Sequence, residues 1–369
     1  MSNFYVERTI TKDGGQSVIL VNENYQIIEE VALFLNYLEQ KGRATNTIES
    51  YCRSLKEYYS WLSYENLKFY EVNQRLLISW LDFMHNQVGS PKEKSPRTVN
   101  KHLAAVSSFY RYYVDVKGFV VDNPFISSSD STSNTQYYVQ NINPRNVNFN
   151  MFRQKEPKKK NTLRLFRNQV EVLYNALNNL TKVKEINTRN QLIFRFMYET
   201  GCRIGETLGL RLNDYSEPDP IDDFGLIKLT EYTPLYHSDH KLKTGTRIIP
   251  VSMDLIYEID EYVCNVRPQL DDIDTVFVNH RNTVGKYMIR NSIDDLFSRL
   301  SEVTNIKCTP HTLRHTHGTE LKESGYSEVF IMDRLGHQSI GTTSKYMHIS
   351  YDDQLAAYES FILSRRGSL

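Results

Sequence analysis

Arg203 and Glu206 are the first residues in the chain whose spacing could serve chemistry. They stand three positions apart in TGCRIGETLGL, where Gly201 is predicted to end one helix and Arg203 to open the next. Residues three apart share one face of a helix, so the carboxylate can orient the guanidinium or a nearby imidazole. A guanidinium held in this way can bind a phosphate through two parallel hydrogen bonds. The alternative is a solvated arginine–glutamate pair on the surface.

His311 and Arg314 form a second pair, in TPHTLRHTHGTEL. Thr309 followed by Pro310 predicts a capped helix start, which places both side chains near a helix N-terminus, where backbone N–H groups favour an anion. An imidazole and a guanidinium on one face at such an end suit a phosphate. His311 and His315 are also four apart, which leaves zinc as an alternative, but the segment lacks the glutamate of HExxH and an evident third ligand. A plain surface helix is the other alternative.

His337 and Tyr346 stand nine positions apart in LGHQSIGTTSKYMHIS, where Gly336 and Gly341 are expected to break the run into short helices. A tyrosine hydroxyl can act as a nucleophile and form a covalent intermediate. The chain has 25 tyrosines, so Tyr346 alone predicts no more than a core or surface role. Its meaning depends on the other two segments.

Taken in this order, the three segments resemble the motifs of the tyrosine recombinase family, which includes phage and transposon integrases. The matching segments are TGCRIGE, HTLRHTHGT and LGHQSIGTTSKYMH, and the match is specific because all three must occur together in order. The likeness covers residues 25–350 and includes ATNTIESYCRSLKEYYSWL and SPRTVNKHLAAVSSFYRYYV, which resemble the helices of the family's core-site-binding domain. It implies an active site built from five residues: Arg203, His311, Arg314, His337 and Tyr346.

The resemblance also implies a lysine that acts as general acid from a β-hairpin. Lys243 stands directly before Thr244-Gly245, which is expected to form the turn between two strands. Lys241 lies two residues earlier and would point to the same face of the strand. Lys243 is favoured, and Lys241 is kept as the alternative general acid.

The implied function is site-specific DNA recombination or integration, in which DNA is cut and rejoined through a 3′-phosphotyrosine intermediate. Tyr346 would be the nucleophile, with His311 as the base and Lys243 as the acid. His337 would hydrogen-bond the phosphate, and Glu206 would hold its neighbours in place. Because the arginines neutralise the phosphate, no metal or other cofactor is expected. Because the phosphotyrosine conserves the phosphoester, no ATP is expected for resealing. The expected partners are specific double-stranded DNA sites, other copies of the chain in a homotetramer on DNA, and accessory proteins.

Two other functions are compatible with part of this pattern. A type IB topoisomerase-like enzyme would use related chemistry to relax supercoils as a monomer, but the His337 motif and the amphipathic tail after Tyr346 argue against it. A non-catalytic DNA-binding regulator would not need the full set of catalytic candidates.

The sequence departs from the simplest family pattern at His317 and in TEYTPLYHSDH, a longer segment before the predicted lysine hairpin. Many family members have an apolar residue in place of His317, so we expect this histidine to pack with a polar partner or to be partly exposed. Residues 4–22 alternate around Asp13-Gly14-Gly15, which predicts a β-hairpin. The hairpin is expected either to read an accessory DNA site or to pack on the helical domain.

The elements that must position these residues are mainly helical. We expect an α+β fold, mainly α with a small β-sheet, in which a core-binding domain and a tyrosine-recombinase catalytic domain form a clamp around DNA. The expected divisions are an N-terminal β-hairpin over 1–24, a helical core-site DNA-binding domain over 25–125, a basic interdomain linker over 126–165, and a catalytic domain with a C-terminal assembly helix over 166–369.

Capping residues and hydrophobic periodicity predict the individual elements. In the first domain, helices are expected over about 25–41, from an N-cap at Asn46 with Glu49 three residues later, over 74–87, and from Ser95-Pro96 to Gly118. In the second, we expect helices over 168–178, 188–200 and 203–210, two strands in FGLIKLTEY and LKTGTRIIPV, a helix from Ser252 and a strand over 275–280.

The formal net charge of zero, from 44 basic and 44 acidic residues, argues weakly against a nucleic-acid binder. The distribution of charge softens this objection, since residues 153–167 carry seven basic side chains against Glu156 alone. The residues expected to contact DNA phosphates from this segment are Lys158, Lys159, Lys160 and Arg164.

Composition also indicates in which cellular compartment the protein is expected. No run of about 18 apolar residues and no signal-peptide pattern is present, so we expect no membrane partner. Four scattered cysteines without a CxxC pair fit a reducing cytoplasm. The Asn-, Lys- and Tyr-rich composition favours a mobile element of an AT-rich bacterium and a cytoplasmic, nucleoid-associated protein.

Overall fold

The structure is a computed structural model of the chain. It describes residues 3–10, 16–85, 94–118, 123–125, 152–156, 164–230, 246–269, 272–281 and 283–336. The chain divides into two compact units, Met1–Lys158 and Lys159–Leu369. Both are mainly helical, and each contains a two-stranded antiparallel sheet, which confirms the predicted fold class.

The first unit begins with the predicted hairpin. Strand β1 (Tyr5–Ile10) pairs antiparallel with β2 (Gln16–Val21), with Tyr5 opposite Val21. The predicted turn at Asp13-Gly14-Gly15 lies outside the described residues. Val18 and Leu20 are buried in the same apolar core as the helices, so the hairpin packs on the helical unit. A role in reading accessory DNA stays a prediction.

The described residues of this unit then form four α-helices: α1 (Glu29–Gln40), α2 (Thr45–Tyr64), α3 (Gln74–His85) and α4 (Pro96–Arg111). Ser95 caps α4 by accepting a hydrogen bond from the Thr98 backbone N–H at 3.3 Å, as predicted. The predicted cap at Asn46 is wrong. The backbone N–H groups of Thr47 and Ile48 already bond to the Ala44 carbonyl, so α2 starts before Asn46.

Aromatic side chains fill the centre of the first unit. Trp61, Trp80, Tyr58 and Tyr110 are fully buried, and the Tyr58 and Tyr110 hydroxyls lie 2.6 Å apart. The Tyr110 hydroxyl also hydrogen-bonds the Phe69 carbonyl. Buried hydroxyls need such partners because a lost hydrogen bond in the core costs about 1–3 kcal/mol. Tyr58 and Tyr110 therefore serve the core of this unit.

Residues 152–156, which fall within the predicted linker, pack on the first unit. Asn100 on α4 accepts a hydrogen bond from the Gln154 backbone N–H at 2.8 Å and donates one to the Gln154 carbonyl at 2.9 Å. Phe152 is buried, and its ring lies 5.9 Å from that of Phe125. This part of the predicted linker is thus anchored to the helical unit ahead of Lys158.

The described part of the second unit contains further helices and another two-stranded sheet. Its elements are α5 (Arg167–Ala176), α6 (Lys184–Thr200), α7 (Ile204–Leu208), β3 (Phe224–Leu229), β4 (Arg247–Ser252), α8 (Met253–Glu261), α9 (Arg290–Thr304), α10 (Pro310–Glu323) and α11 (Glu328–Leu335). Strands β3 and β4 are antiparallel, with Leu229 opposite Arg247. Ser252 caps α8, as predicted.

The strand predicted over 275–280 is wrong. The segment forms only single bridges, between Arg211 and Thr275 and between Val278 and Tyr287. Its apolar residues are buried without alternation, with Val276, Phe277 and Val278 all fully inaccessible. Burial in the core, rather than pairing in a sheet, explains this apolar run. In the described part of the chain, no helix is long and apolar enough to cross a bilayer.

Candidate active site

Arg203 and Gly201 lie at the turn between α6 and α7. Gly201 ends α6 in the left-handed conformation, with φ of 67°, as predicted. Arg203 is the N-cap of α7, and its backbone N–H and Nη1 donate to the Glu206 carboxylate at 2.8 and 3.2 Å. Arg203 and Glu206 therefore form the N-terminal cap of α7, which fixes both side chains at the start of this helix.

Glu206 is not a solvated surface residue, so that alternative is wrong. Its side chain is 1% exposed and lies within 4.0 Å of three guanidiniums: Arg203 at 3.2 Å, Arg247 at 3.0 Å and Arg314 at 3.9 Å. Burial by itself raises the pKa of Glu206, but the charge and hydrogen bonds of Arg247, helped by Arg203, hold that pKa below its ordinary value. Glu206 is thus a buried, ionised carboxylate.

Arg314 is held in the same place by α10. Thr309 caps this helix by accepting from the Thr312 backbone N–H at 3.1 Å, and Pro310 occupies the first turn, as predicted. The Arg314 guanidinium donates to the Gly201 carbonyl at 2.7 Å and also to the Leu335 carbonyl. Burial, with repulsion from Arg203, lowers the pKa of Arg314 to about 10, so it is still protonated at neutral pH.

The C-terminus of α11 joins the two predicted arginines. Arg203 donates to the Leu335 carbonyl at 3.4 Å and to the Gly336 carbonyl at 3.2 Å, and Arg314 donates to the same Leu335 carbonyl. The last carbonyls of a helix lack intrahelical partners and carry partial negative charge. The structure therefore brings Arg203 and Arg314 together at a helix end that attracts cations.

His311 is exposed at the start of α10 and forms a pair with His315. Their Nε2 atoms lie 2.9 Å apart, and the rings meet edge to face. Within the described ranges, no group of three histidine, cysteine or acidic residues is placed to hold a metal ion. The described residues therefore place no third zinc ligand beside His311 and His315.

Part of the predicted site lies outside the described residues. This part comprises Lys241, Lys243, His337 and Tyr346, together with the predicted DNA contacts Lys158, Lys159 and Lys160. Arg164, the remaining predicted DNA contact, pairs with Glu323 and stacks over the Phe166 ring at 4.9 Å. Next to it, the Leu165 backbone N–H donates to Thr316 Oγ1 on α10 at 2.9 Å. The end of the predicted linker is thus attached to the helix that carries His311 and Arg314.

Arg247 was missed by the sequence reasoning. It opens β4, and its Nη1 and Nη2 donate to the two Glu206 oxygens at 3.1 and 3.0 Å. The available signal was a single charged residue at the head of the apolar run RIIPV. A charged residue beside a buried strand requires a partner, and Glu206 supplies it.

His317 fulfils the expectation of a packed position with a polar partner. Its side chain is fully buried, and its Nε2 accepts a hydrogen bond from Arg334 Nε at 3.0 Å. Arg334 also donates to the Pro250 carbonyl at 3.1 Å and the Glu199 carbonyl at 3.4 Å. This second buried arginine, also missed from the sequence, ties α10, α11 and β4 together behind the site.

Two family profiles match the chain. The profile of the phage integrase family matches residues 164–353, which include all of the predicted site except its DNA-contacting lysines. The profile of the phage integrase N-terminal SAM-like domain matches residues 31–117.

Curated relatives match over nearly their whole length. Transposase A from transposon Tn554 of Staphylococcus aureus is 30% identical over 359 residues, which cover 93% of this chain and 94% of the transposase. The tyrosine recombinase XerD of Lacticaseibacillus casei is 24% identical over 333 residues, which cover 89% of this chain and 96% of that recombinase.

Solved structures share the fold. A fragment of the Tn1549 transposon integrase (residues 82–397), in complex with transposon right end DNA, has a TM-score of 0.57 at 18% identity, with coverage of 90% of this chain and 99% of that fragment. The XerH site-specific recombinase bound to its difH substrate has a TM-score of 0.55 at 15% identity, with coverage of 85% and 80%.

Proposed function

This chain belongs to the phage integrase family of tyrosine site-specific recombinases, and we propose that Tyr346 is the nucleophile with which it integrates or excises a mobile element. The observation that carries this proposal is the convergence of Arg203 and Arg314 on the end of α11, beside the buried Glu206. Two guanidiniums fixed in this way can bind the non-bridging oxygens of a phosphodiester. The charge that develops during displacement is then neutralised by the protein itself.

The chemistry is an exchange of one phosphoester for another. The Tyr346 oxygen attacks the phosphorus, its proton passes to His311, and the bond from phosphorus to the 5′-oxygen breaks. The hairpin lysine gives a proton to the departing 5′-oxygen, and His337 hydrogen-bonds the phosphate. The resulting 3′-phosphotyrosine retains the phosphoester, so a 5′-hydroxyl from another duplex can reverse the step without ATP.

A nicked suicide substrate tests the nucleophile, because the cleaved strand diffuses away and the protein stays attached to DNA. The wild type should form a covalent adduct visible by denaturing gel electrophoresis, and Tyr346→Phe should form none. Tyr351→Phe is the matched control, since it removes a nearby tyrosine hydroxyl that has no proposed role. An adduct formed by Tyr346→Phe would contradict the assignment of the nucleophile. If the wild type forms no adduct, the assignment also fails, and a non-catalytic DNA-binding regulator is favoured.

The general acid is tested with a substrate whose leaving group is a 5′-thiol, which departs without protonation. Lys243→Ala should lose cleavage of the ordinary substrate and regain it with the thiol substrate. Lys241→Ala should be less impaired on the ordinary substrate and should gain less from the thiol. If the two variants show the reverse pattern, Lys241 is the acid.

Double-stranded DNA is the proposed partner, bound at specific sites by a homotetramer. Support comes from fold neighbours solved with DNA, among them a lambda integrase dimer bound to a core site, at a TM-score of 0.53 and 14% identity. The basic residues Lys158, Lys159, Lys160 and Arg164 would contact phosphates regardless of sequence. The tail after Tyr346 would pack on a neighbouring copy. A chain ending at Ser350 should bind DNA but fail to assemble; normal assembly and recombination by that chain would refute this role.

The biological role is tested at the DNA level. Expressing the protein with its own genomic surroundings and sequencing the junctions should reveal joined ends of one mobile element. If all sequenced junctions instead lie at one fixed chromosomal site, the protein acts in the resolution of chromosome dimers.

A further inference from the structure

Arg247 occupies an interior position beside the proposed catalytic arginines. Its side chain is 11% exposed, which is less than the 29% of Arg203. Its Nη1 and Nη2 each donate to one Glu206 oxygen, at 3.1 and 3.0 Å. A two-point contact between planar groups fixes both the position and the rotation of the carboxylate. Arg247 therefore holds Glu206 in one orientation.

Glu206 in turn supports Arg203. The carboxylate accepts from the Arg203 backbone N–H at 2.8 Å and from its Nη1 at 3.2 Å. Among the causes that lower the pKa of Glu206 against the effect of its burial, the attraction of Arg247 is the largest. Arg247 is thus the strongest electrostatic partner of the carboxylate that supports Arg203.

Arg247 also contacts the second support of Arg203. Its Nε donates to the Arg334 carbonyl at 3.1 Å, in the last turn of α11. The next two carbonyls, of Leu335 and Gly336, accept from Arg203. One guanidinium therefore joins β4, α7 and the end of α11, on both sides of Arg203.

We propose that Arg247 is a positioning residue that, without contacting DNA, aims the Arg203 guanidinium at the scissile phosphate by fixing Glu206 and the end of α11. This role presupposes the proposed function. Without Arg247, the Glu206 carboxylate loses its two-point anchor and can turn toward Arg203 and Arg314, where it competes with the phosphate for their donors. The loss should therefore fall on the neutralisation of phosphate charge rather than on the leaving group.

Removing the charge of the scissile phosphate distinguishes the proposed role of Arg247 from a purely structural one. A structural defect would slow adduct formation equally with and without that charge. In a methylphosphonate substrate, a methyl group replaces one non-bridging oxygen and removes the negative charge at the scissile position. Adduct formation by the full-length protein is measured on nicked suicide substrates with either an ordinary phosphate or a methylphosphonate. The variants are Arg247→Met, Arg247→Lys and, as the matched control, Arg211→Met, because Arg211 makes a comparable contact with Asp214 at 3.3 Å elsewhere in this unit.

On the ordinary phosphate, Arg247→Met should slow adduct formation by about 100-fold. Arg247→Lys should slow it by at least about tenfold, because an ammonium cannot reproduce the two-point contact. On the methylphosphonate, both variants should come within about threefold of the wild type, because little charge is left to neutralise. Arg211→Met should show the same ratio to wild type on both substrates. If Arg247→Met does not fold, Arg247→Lys decides the question.

Equal losses on both substrates would overturn the proposal and leave Arg247 a structural support only. Recovery on a 5′-thiol substrate instead of the methylphosphonate would also overturn it, since Arg247 would then act through the general acid. A failure of the proposed function gives a different result. In that case the wild type forms no covalent adduct, or forms one that persists in Tyr346→Phe.

Discussion

Arg334 donates a hydrogen bond from its Nε to the Nε2 of His317 over 3.0 Å, and both side chains are buried, at 3% and 0% exposure. The bond requires His317 Nε2 to be unprotonated, because this nitrogen accepts. His317 stands one turn from Arg314 on α10, and Arg334 immediately precedes Leu335, whose carbonyl accepts from Arg314. The pair thus fixes the two elements, α10 and α11, that meet at the proposed catalytic arginines.

We expect His317→Phe to destabilise the second unit by about 1–3 kcal/mol, because it leaves the buried Arg334 guanidinium without its ring acceptor. Adding Arg334→Leu removes the buried charge that has lost this acceptor, so the double variant should be more stable than His317→Phe alone. The measurement is amide hydrogen exchange of peptides from α10 and α11. A coupling between the two substitutions below about 0.5 kcal/mol would show that the pair is not a stabilising unit.

We expect Gly201→Ala to be far more damaging than Gly42→Ala. Both glycines have positive φ, 67° and 69°, so each alanine carries about 1–2 kcal/mol of backbone strain. At Gly201 a Cβ would also lie 2.6 Å from Leu335 Cδ2 and 2.8 Å from His317 Cδ2, whereas at Gly42 nothing described lies within 4 Å. The Gly201 carbonyl also holds Arg314.

Adduct formation on the suicide substrate measures this difference. Gly201→Ala should slow it by at least about tenfold through displacement of Arg314, and Gly42→Ala should stay close to wild type. Similar rates for both variants would mean that the close packing at Gly201 does not set the position of Arg314.

His102 should make the first unit sensitive to acid. Burial, with repulsion from Lys94 that outweighs the attraction of Glu57, lowers the pKa of this histidine to about 4. The unfolded chain binds the proton near pH 6.5, so the folded state binds fewer protons between these values. The stabilising contribution is complete above pH 6.5 and is lost as pH falls toward 4, amounting to about 2 kcal/mol between pH 7 and pH 5.

Tryptophan fluorescence during urea unfolding measures this effect selectively, because both tryptophans, Trp61 and Trp80, lie in the first unit. The free energy of unfolding of the wild type should fall between pH 7 and pH 5, and that of His102→Gln should fall less. A pH dependence unchanged by the substitution would assign the effect to other groups. His280, whose pKa burial also lowers to about 4, lies in the second unit and does not enter this signal.

Asn100 should protect residues 152–156 from proteolysis. Asn100→Ala removes the two hydrogen bonds to the Gln154 backbone and a third, at 3.2 Å, to Glu156. At about 1 kcal/mol each, their loss should speed tryptic cleavage after Arg153 and Lys155 by about tenfold or more. Asn73→Ala is the control, since Asn73 caps α3 instead. Mass spectrometry measures the rate of cleavage at these two sites. Equal rates for the two variants would contradict the anchoring role.

The sequence by itself determined the fold class and the local devices. Ser95 and Thr309 cap their helices, and Gly201 ends α6, because each acts on backbone groups within a few residues of itself. Even here the local signal failed at Asn46, since the helix had already started on the Ala44 carbonyl. The resemblance to the tyrosine recombinase motifs implied that Arg203 and Arg314 share one site, and both side chains donate to the Leu335 carbonyl.

Only the tertiary structure decided how the charges of the site are held. Glu206 contacts Arg247 across 41 positions, and His317 contacts Arg334 across 17, and no periodicity or cap links such distant positions. In the sequence, Arg247, Glu206 and Arg334 cannot be told from ordinary surface charges, because only folding buries them. A buried charge must then find a counter-charge or hydrogen-bonding group, and chain packing alone determines which one lies within reach.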